Sequence, residues 1–242
     1  METGCLYLIP SLIADVPPLE VIPLSVKKVI DSTQHFIVEN EKSGRAFIKK
    51  IVPGKDQAAL IIHLLNKFTA ESELDDLLRP CLEGHPVGLI SDAGAPSVAD
   101  PGSSIVSRAY QRNIRVSPLS GPSSILMAVM ASGMNGQDFA FVGYIPIDRA
   151  ERRSRLRDLE RHSRKTGQSQ FFMETPYRND KLFEDLLAVL PSDVRLCVAR
   201  HISHSDEFIR TMTVGQWAHQ KPELHKQPTI FGLDASTERI QW

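Results

Sequence analysis

The chain has 242 residues, of which 42% are hydrophobic and 24% charged, a composition that excludes disordered, collagen-like and repeat architectures. The formal net charge of −1 provides no overall field for a polyanion, so any contact with nucleic acid needs a local patch. Cys5, Cys81 and Cys197 form no paired motif, which indicates a reducing compartment. The first residues lack the positive region of a signal peptide, and the apolar run at Leu6–Ile9 is far shorter than the about 20 residues of a membrane span. We therefore expect a cytoplasmic protein that does not enter a membrane.

Short apolar runs and helical spacings, separated by turn residues, predict the elements. In the first half, in chain order, they are strands at 6–9 and 36–38, a helix from 58–68 that extends through Leu82 to Gly84, a strand at 87–90, a helix at 105–110 and a strand at 115–119. In the second half, they are a helix from about 123, a strand at 139–142, a helix at 149–165, a strand at 171–173 and a helix at 180–190. Strands at 196–199, 207–213 and 229–233 complete the chain. Strands alternating with helices predict an α/β fold with a largely parallel sheet. We place a boundary near 119–122, which gives two α/β domains at 1–119 and 120–242.

Three loops follow predicted strands at the carboxyl ends, where open α/β sheets bind ligands. The loop at 91–102 consists almost entirely of small or turn-forming residues, which let backbone groups approach a ligand closely. The same composition fits equally well a tight crossover without a ligand, in which Asp92 and Asp100 serve as turn or N-cap residues. Metal binding by these two carboxylates is disfavoured because no histidine or third carboxylate stands near them. The segment at 120–124 precedes a helix, where hydroxyls either cap the helix or meet an anion.

Five ordered segments carry a resemblance to a known family. They are Gly88-Leu-Ile-Ser-Asp-Ala-Gly-Ala-Pro96 with Asp100-Pro-Gly102, Pro118-Leu-Ser-Gly-Pro122, Ala131-Ser-Gly133 with Gly143-Tyr-Ile-Pro146, Phe172-Met-Glu-Thr-Pro-Tyr-Arg178, and Ala199-Arg200 with Glu207. Together they resemble the tetrapyrrole-methylase superfamily, and within it the subgroup that methylates a cytidine ribose in small-subunit ribosomal RNA. The resemblance covers about 84–207.

The resemblance implies a homodimer of two α/β domains that binds S-adenosylmethionine in the cleft between the domains, largely through backbone groups. The implied cofactor contacts are Pro10, Ala93, Gly94, Ala95, Val98, Ser123, Ser124, Met173 and Ala199. The first third departs from the subgroup, since Pro10-Ser-Leu-Ile-Ala-Asp15 replaces Pro-Thr-Pro-Ile-Gly-Asn, and only Glu39 remains of an Ala-Glu-Asp-Thr-Arg segment. The chain also ends at Trp242, before the subgroup's extra terminal region.

A ribose hydroxyl loses a proton during methyl transfer, so a general base is expected. By resemblance the candidates are Glu39, Glu174 and Glu207. Each has a structural alternative, since Glu39 can end a strand, Glu174 can pair with Arg178 or Arg200, and Glu207 can face solvent. We expect no metal at His201 and His204, because the segment is predicted as a strand, in which residues three apart face opposite ways.

Arginines are the candidate contacts to substrate phosphates. Arg178 and Arg200 can each hold a phosphate or form an inter-strand ion pair. Eight cationic and four acidic side chains between 148 and 165, with Arg152 and Arg153 among them, leave a local charge of +4. Such a helix can track RNA or be a solvated helix with internal ion pairs.

The leading hypothesis is thus a methyltransferase that acts on ribosomal RNA of the small subunit. A methyltransferase acting on a tetrapyrrole or a protein side chain is the second hypothesis, motivated by the altered first third. A non-catalytic cofactor-binding module is the third, because the subgroup's Asp and Arg after Glu39 are absent.

Overall fold

Five short strands form a fully parallel sheet in the first half of the chain, with the order β3-β2-β4-β1-β5. The strands are β1 Cys5–Ile9, β2 His35–Val38, β3 Ile61–Leu64, β4 Val87–Ile90 and β5 Arg115–Pro118. The helices are α1 Pro18–Val21, α2 Leu24–Ser32, α3 Glu41–Ile51, α4 Leu74–Leu82 and α5 Gly102–Gln111, with a short 3-10 helix at Glu71–Glu73. This computed structural model describes residues 3–65 and 68–236, and it divides the chain into two units, Met1–Ser123 and Ser124–Trp242. The expected boundary at 119/120 lies four residues before that division.

Helices cover both faces of the first sheet because its strands alternate their apolar side chains. Phe36 and Val38 belong to the core cluster with α2 and α3, whereas Ile37 belongs to the cluster with α4 and α5. Asn40 starts α3 at the end of β2, since its side chain accepts hydrogen bonds from the backbone N–H groups of Lys42 and Ser43. The result is a three-layer α/β/α unit in which every strand ends at the same edge.

The second unit contains a mixed sheet with the order β6-β7-β10-β8-β9. Its strands are β6 Phe139–Tyr144, β7 Ser169–Met173, β8 Arg195–Arg200, β9 Phe208–Thr213 and β10 Thr229–Asp234. Its helices are α6 Ser124–Ser132, α7 Arg149–Thr166, α8 Asn179–Val189 and α9 Val214–Trp217, with a 3-10 helix at Pro176–Arg178. The central strand β10 is buried over its whole length. Its core cluster packs α7, α8 and α9 against one face of the sheet, while α6 contacts β8, β9 and β10.

The α/β class and most elements are confirmed, but two expectations are wrong. Residues 58–65 are not helical, because Ile61–Leu64 form the edge strand β3, paired with β2. Residues 66 and 67 of this predicted helix lie outside the described residues. The helix begins later, at Leu74. The second sheet is not largely parallel, since only β6 and β7 pair in parallel and its three other pairings are antiparallel. The sequence prediction also missed α2 and α3. Within residues 3–65 and 68–236, no helix has both the length and the apolar composition required to cross a bilayer.

Candidate functional site

The loops after β1, β4 and β5 meet at the carboxyl edge of the first sheet. These three strands are neighbours, with β1 between β4 and β5. The Ser11 backbone N–H donates a hydrogen bond to the Gly94 carbonyl at 2.9 Å, which joins the first loop to the second. Gly121 lies against Pro10 so closely that an added Cβ would stand 2.6 Å from the Pro10 Cβ, which joins the first loop to the third. Backbone rather than long side chains therefore shapes this edge, the usual ligand-binding edge of such sheets.

The loop after β4 holds an unusual backbone conformation. Gly94, Ser97 and Ala99 all have positive φ, at 75°, 67° and 62°. The Asp100 side chain stabilises the loop, since its Oδ1 accepts hydrogen bonds from the Ser97 N–H at 2.7 Å and the Gly102 N–H at 2.8 Å. Burial raises the pKa of Asp100, against the effect of these two hydrogen bonds. Asp100 thus acts as the turn residue described by the sequence alternative, at the start of α5.

Glu39 lies at the same edge, directly after β2. Its Oε1 faces the Asp92 backbone N–H at 3.4 Å, and the Asp92 carboxylate accepts a hydrogen bond from the Ser43 hydroxyl at 2.6 Å. Burial raises the pKa of Glu39, and the charges of Asp92 and Asp100 raise it further, against the hydrogen bond from the Asp92 backbone. A carboxylate with a raised pKa at the carboxyl edge of a parallel sheet is suited to accept a proton. Ser43 was not among the sequence candidates, because α3 was not predicted.

The expected cofactor contacts fall into two groups in the structure. Pro10, Ala93, Gly94, Ala95, Val98 and Ser123 belong to the first unit, and Ser124, Met173 and Ala199 belong to the second. Val98 is 48% exposed, whereas Pro10 and Gly94 are buried. Met173 and Ala199 lie on either side of Ile230, which pairs with both of them across β10. Ser124 is the first residue of α6, so Ser123 and Ser124 stand at the start of that helix, as expected.

Glu174 is buried and committed to local partners. Its Oε1 accepts hydrogen bonds from the Thr175 N–H at 2.7 Å and from the Arg178 guanidinium at 2.6 Å. Its Oε2 has no hydrogen-bond partner within the described part of the chain. Of the two alternatives for Glu174, the pair with Arg178 is therefore the one that forms.

The segment between β8 and β9 holds Arg200 and Glu207 in a tight turn. Arg200 donates to the carbonyl oxygens of Asp206 and Glu223, at 2.7 and 3.2 Å, and lies over the Phe208 ring. Glu207 is exposed and accepts a hydrogen bond from the Ser203 N–H at 2.7 Å. Arg200 is therefore held by backbone carbonyl groups of its own turn and of the segment before β10, not by a carboxylate on a neighbouring strand.

The reason for expecting no metal at His201 and His204 is wrong, because this segment is a turn and not a strand. His201 and Ser203 have positive φ, which brings both imidazole rings to one side, stacked with 4.6 Å between centroids. The His201 Nδ1 lies 2.9 Å from both carboxylate oxygens of Asp206. One candidate ligand atom from each of His201, His204 and Asp206 lies within 4.8 Å of the others. The His201 contact lowers the pKa of Asp206.

The basic helix α7 has two kinds of arginine. Arg152 is buried, and its Nε and Nη2 donate to one oxygen of Asp185 at 2.8 and 2.6 Å. Arg153 donates to the other oxygen at 2.7 Å. Farther along the helix, Arg161 pairs with the exposed Asp158 and Arg164 with the buried Glu160, as in a helix with internal ion pairs. Arg152 therefore anchors α7 to α8 and is not available as a surface contact.

Comparisons with known proteins agree with this architecture. The family model for the tetrapyrrole (corrin/porphyrin) methylases matches residues 24–218. A ribosomal RNA small subunit methyltransferase I from Vibrio cholerae is 30% identical over 152 residues, which cover 63% of this chain and 51% of the relative. A protein of the same name from Micromonospora olivasterospora is 32% identical, covering 86% of this chain and 63% of the relative. This chain therefore spans about half to two thirds of the length of these relatives. A solved structure of the methyltransferase CobJ superimposes with a TM-score of 0.63 at 16% identity, covering 99% of this chain and 97% of that one, which shows the shared fold.

Proposed function

We propose that this chain, which belongs to the tetrapyrrole (corrin/porphyrin) methylase family, transfers a methyl group from S-adenosylmethionine to a ribose hydroxyl in small-subunit ribosomal RNA. The observation that carries the proposal is the loop of small residues after β4, joined by backbone contacts to the loops after β1 and β5. The names of the relatives support the choice of acceptor. This acceptor also places the proposed site of action in the cytoplasm.

The residues at this edge fit the cofactor. Ala93 is exposed and Ala95 partly exposed, so the small side chains on either side of Gly94 let a ligand approach the backbone. The positive φ of Gly94 turns the loop without a side chain. A Cβ added at Gly94 would stand 3.4 Å from the Ile13 Cγ2 and 3.7 Å from the Pro122 carbonyl oxygen, so the loop packs closely against the loops after β1 and β5. When bound, S-adenosylmethionine supplies an already activated methyl group. We propose as its contacts Pro10, Ala93, Gly94, Ala95, Val98, Ser123, Ser124, Met173 and Ala199.

Glu39 is the carboxylate we propose as the general base. Glu174 is engaged by Arg178, and Glu207 by the backbone of its own turn. Within the part of the chain that the structure describes, the one hydrogen bond of the Glu39 side chain is long, at 3.4 Å, and its raised pKa favours proton uptake. The work of the chain is then to align the acceptor hydroxyl, to exclude water and to receive one proton at the Glu39 carboxylate.

The second unit supplies the proposed contacts to RNA. Arg153 and Arg178 are partly exposed and are the proposed contacts to phosphates. Arg152 and Arg200 bind internal partners and stabilise the structure beneath that surface. Phosphate contacts of this kind position RNA without reading its bases.

We also propose a homodimer. Helix α6 is apolar around most of its circumference, yet Met130 is 82% exposed and Leu126 54% exposed. Apolar side chains at this exposure are typical of an interface between chains. Sedimentation or light scattering of wild type and Met130→Glu tests this proposal. A dimer whose interface is formed by α6 should dissociate in the variant, whereas a monomeric wild type would contradict the proposal.

The function is tested by calorimetric titration with S-adenosylmethionine and S-adenosylhomocysteine, followed by labelled methyl transfer. The acceptors are naked small-subunit ribosomal RNA, assembled small subunits and a tetrapyrrole. We expect saturable binding of both cofactor forms and transfer to a ribose of the RNA, lost in Glu39→Gln and retained in Glu207→Gln. Transfer only to the tetrapyrrole replaces the proposed acceptor. Binding without transfer to any acceptor leaves a cofactor-binding module, and absence of binding rejects the proposal.

A further inference from the structure

A cavity of about 660 Å³ lies between the start of α7 and the face of α8, entirely within the second unit. Five cationic side chains and two carboxylates line it, an excess of three positive charges. The residues that matter below are Arg149, Arg152, Arg153, Lys181, Glu184 and Asp185. The volume is in the range of small-ligand sites and accommodates a phosphate with part of its nucleoside.

Asp185 is the centre of this cluster and is almost completely buried. Arg152 and Arg153 donate to its two oxygens, and the Arg149 Nε lies 3.5 Å from one of them. Burial opposes the charge on Asp185, but the hydrogen bonds from Arg153 and Arg152 outweigh it and lower its pKa. The carboxylate is therefore charged at neutral pH, and three guanidinium groups share it.

A buried carboxylate needs one cation to be neutralised, so the other two guanidinium groups leave uncompensated positive charge. Nearby groups do not remove it. Arg178 is paired with Glu174, and Glu184 lies 3.3 Å from the Lys221 ammonium. Lys181 forms no ion pair with any residue in the described ranges, and Arg149 is 72% exposed. Like charges held together in this way are costly unless an anion joins them.

We propose that this cavity binds a phosphate group, and that the phosphate belongs to the backbone of the RNA substrate. The inference rests on the proposed function for the identity of the RNA. Lys181, Arg149 and Arg153 contact the phosphate, since guanidinium groups match phosphate oxygens in two-point contacts and the lysine ammonium binds them as a point charge. Asp185 is a positioning residue that holds Arg152 and Arg153 in place. Sequence reasoning did not find Asp185 or Lys181, because their partners lie on another helix.

The contact residues are tested by fluorescence anisotropy of a labelled oligoribonucleotide from the small subunit, over a series of salt concentrations. The variants are Lys181→Ala and Arg149→Ala, with Arg157→Ala as the matched control. Arg157 is an exposed cation on the same helix α7 that does not line the cavity. We expect each test variant to weaken binding about fivefold to tenfold and to reduce the slope of log K against log salt by about 1, with the slope unchanged in the control. Equal effects in all three variants indicate a diffuse basic face and overturn the proposal.

Asp185→Asn separates positioning from net charge. The variant removes a negative charge from the cavity, so charge alone predicts tighter binding of RNA. Positioning predicts binding weaker by about threefold or more, because the amide holds two guanidinium groups less firmly. Tighter binding by a variant that remains folded in circular dichroism rejects the positioning role. If Asp185→Asn fails to fold, Lys181→Ala and Arg149→Ala still test the phosphate site, because both residues are exposed and line the cavity.

Competition experiments identify the chemistry of the ligand. Inorganic phosphate and a ribonucleoside monophosphate should compete with the oligonucleotide in wild type and less in Lys181→Ala. Equal competition by an acidic peptide of the same charge contradicts a phosphate site. Titration with S-adenosylmethionine is run on every variant. If Lys181→Ala and Arg149→Ala bind both the cofactor and the RNA as wild type does, only this inference is rejected. Loss of cofactor binding in wild type instead sinks the proposed function.

Discussion

Gly121 and Pro10 interlock the loops after β5 and β1, because the Cα of Gly121 lies where any side chain would overlap the Pro10 ring. Both residues follow strands that are paired in parallel, with Leu8 opposite Pro118. The Ser11 N–H extends the contact to Gly94 in the loop after β4. The shape of the proposed cofactor edge therefore depends on the absence of one methyl group at position 121.

Gly121→Ala should weaken binding of S-adenosylmethionine at the proposed site by at least about tenfold, since the new methyl group forces the loops after β1 and β5 apart. Gly54→Ala is the matched control, because a Cβ at Gly54 meets no atom within 4 Å. Isothermal titration calorimetry measures both affinities, and thermal unfolding checks that both variants fold. Equal affinity in Gly121→Ala and wild type would show that the loops adjust independently of each other.

Gly94→Ala should also reduce cofactor affinity, through the backbone rather than through packing. Its φ of 75° costs an alanine about 1 kcal/mol or more, while no atom of the chain obstructs the new Cβ. Gly167→Ala, at the end of α7, has the same φ of 75° and an unobstructed Cβ, so it controls for the strain. We expect similar losses of stability in urea unfolding, and loss of cofactor affinity only in Gly94→Ala. Loss of affinity in both variants would assign the effect to strain alone.

The contrast between β4 and β3 shows which parts of the fold the sequence determines. Val87–Ile90 form an uninterrupted apolar run that ends in turn residues, and this run predicts a strand buried on both faces. The apolar residues around Ile61 fit both a helix and a strand, and pairing with β2 decides the outcome. Local pattern is sufficient for a central strand, whereas an edge strand depends on a neighbour that sequence spacing does not reveal.

The same division applies to the candidate site. The loops after β1, β4 and β5 are predictable, because small residues after parallel strands collect at one edge. The pairing of Arg152 with Asp185 is not, since 33 residues separate them and helix packing selects the partner. The turn at His201 depends on positive φ in residues other than glycine, for which the sequence has no clear signal.

Glu39 and Asp100 should make the protein relatively less stable as pH rises, because burial raises both pKa values in the folded state. A raised carboxyl pKa means that the folded chain binds the proton more tightly, so stability falls as pH rises from the unfolded pKa through the folded one. Glu39→Gln and Asp100→Asn should therefore gain stability relative to wild type as pH rises from about 4. Urea unfolding from pH 4 to 7 measures the difference.

Asp206→Asn serves as the control of opposite sign. The contact with His201 lowers the pKa of Asp206, so its contribution is present above the unfolded pKa and is lost as pH falls through the folded pKa. The variant should be less stable than wild type near pH 7, and the difference should shrink toward low pH. If the free energy of unfolding relative to wild type changed with pH in the same direction for Asp206→Asn and Asp100→Asn, the assigned directions of the two pKa shifts would be contradicted.

Removing the carboxylate of Asp185 should destabilise the second unit far more than removing a surface carboxylate of the same helix pair. Asp185→Ala leaves the buried Arg152 guanidinium without its partner, and breaking a buried pair from one side costs about 3 to 5 kcal/mol. Asp158→Ala breaks an exposed pair with Arg161 and should cost less than about 1 kcal/mol. Urea unfolding measures both free energies.

The double variant Asp185→Ala with Arg152→Met should recover much of the loss, because the unpaired buried charge, not the missing bond, is the main cost. No recovery in the double variant would mean that the pair itself supplies the stability.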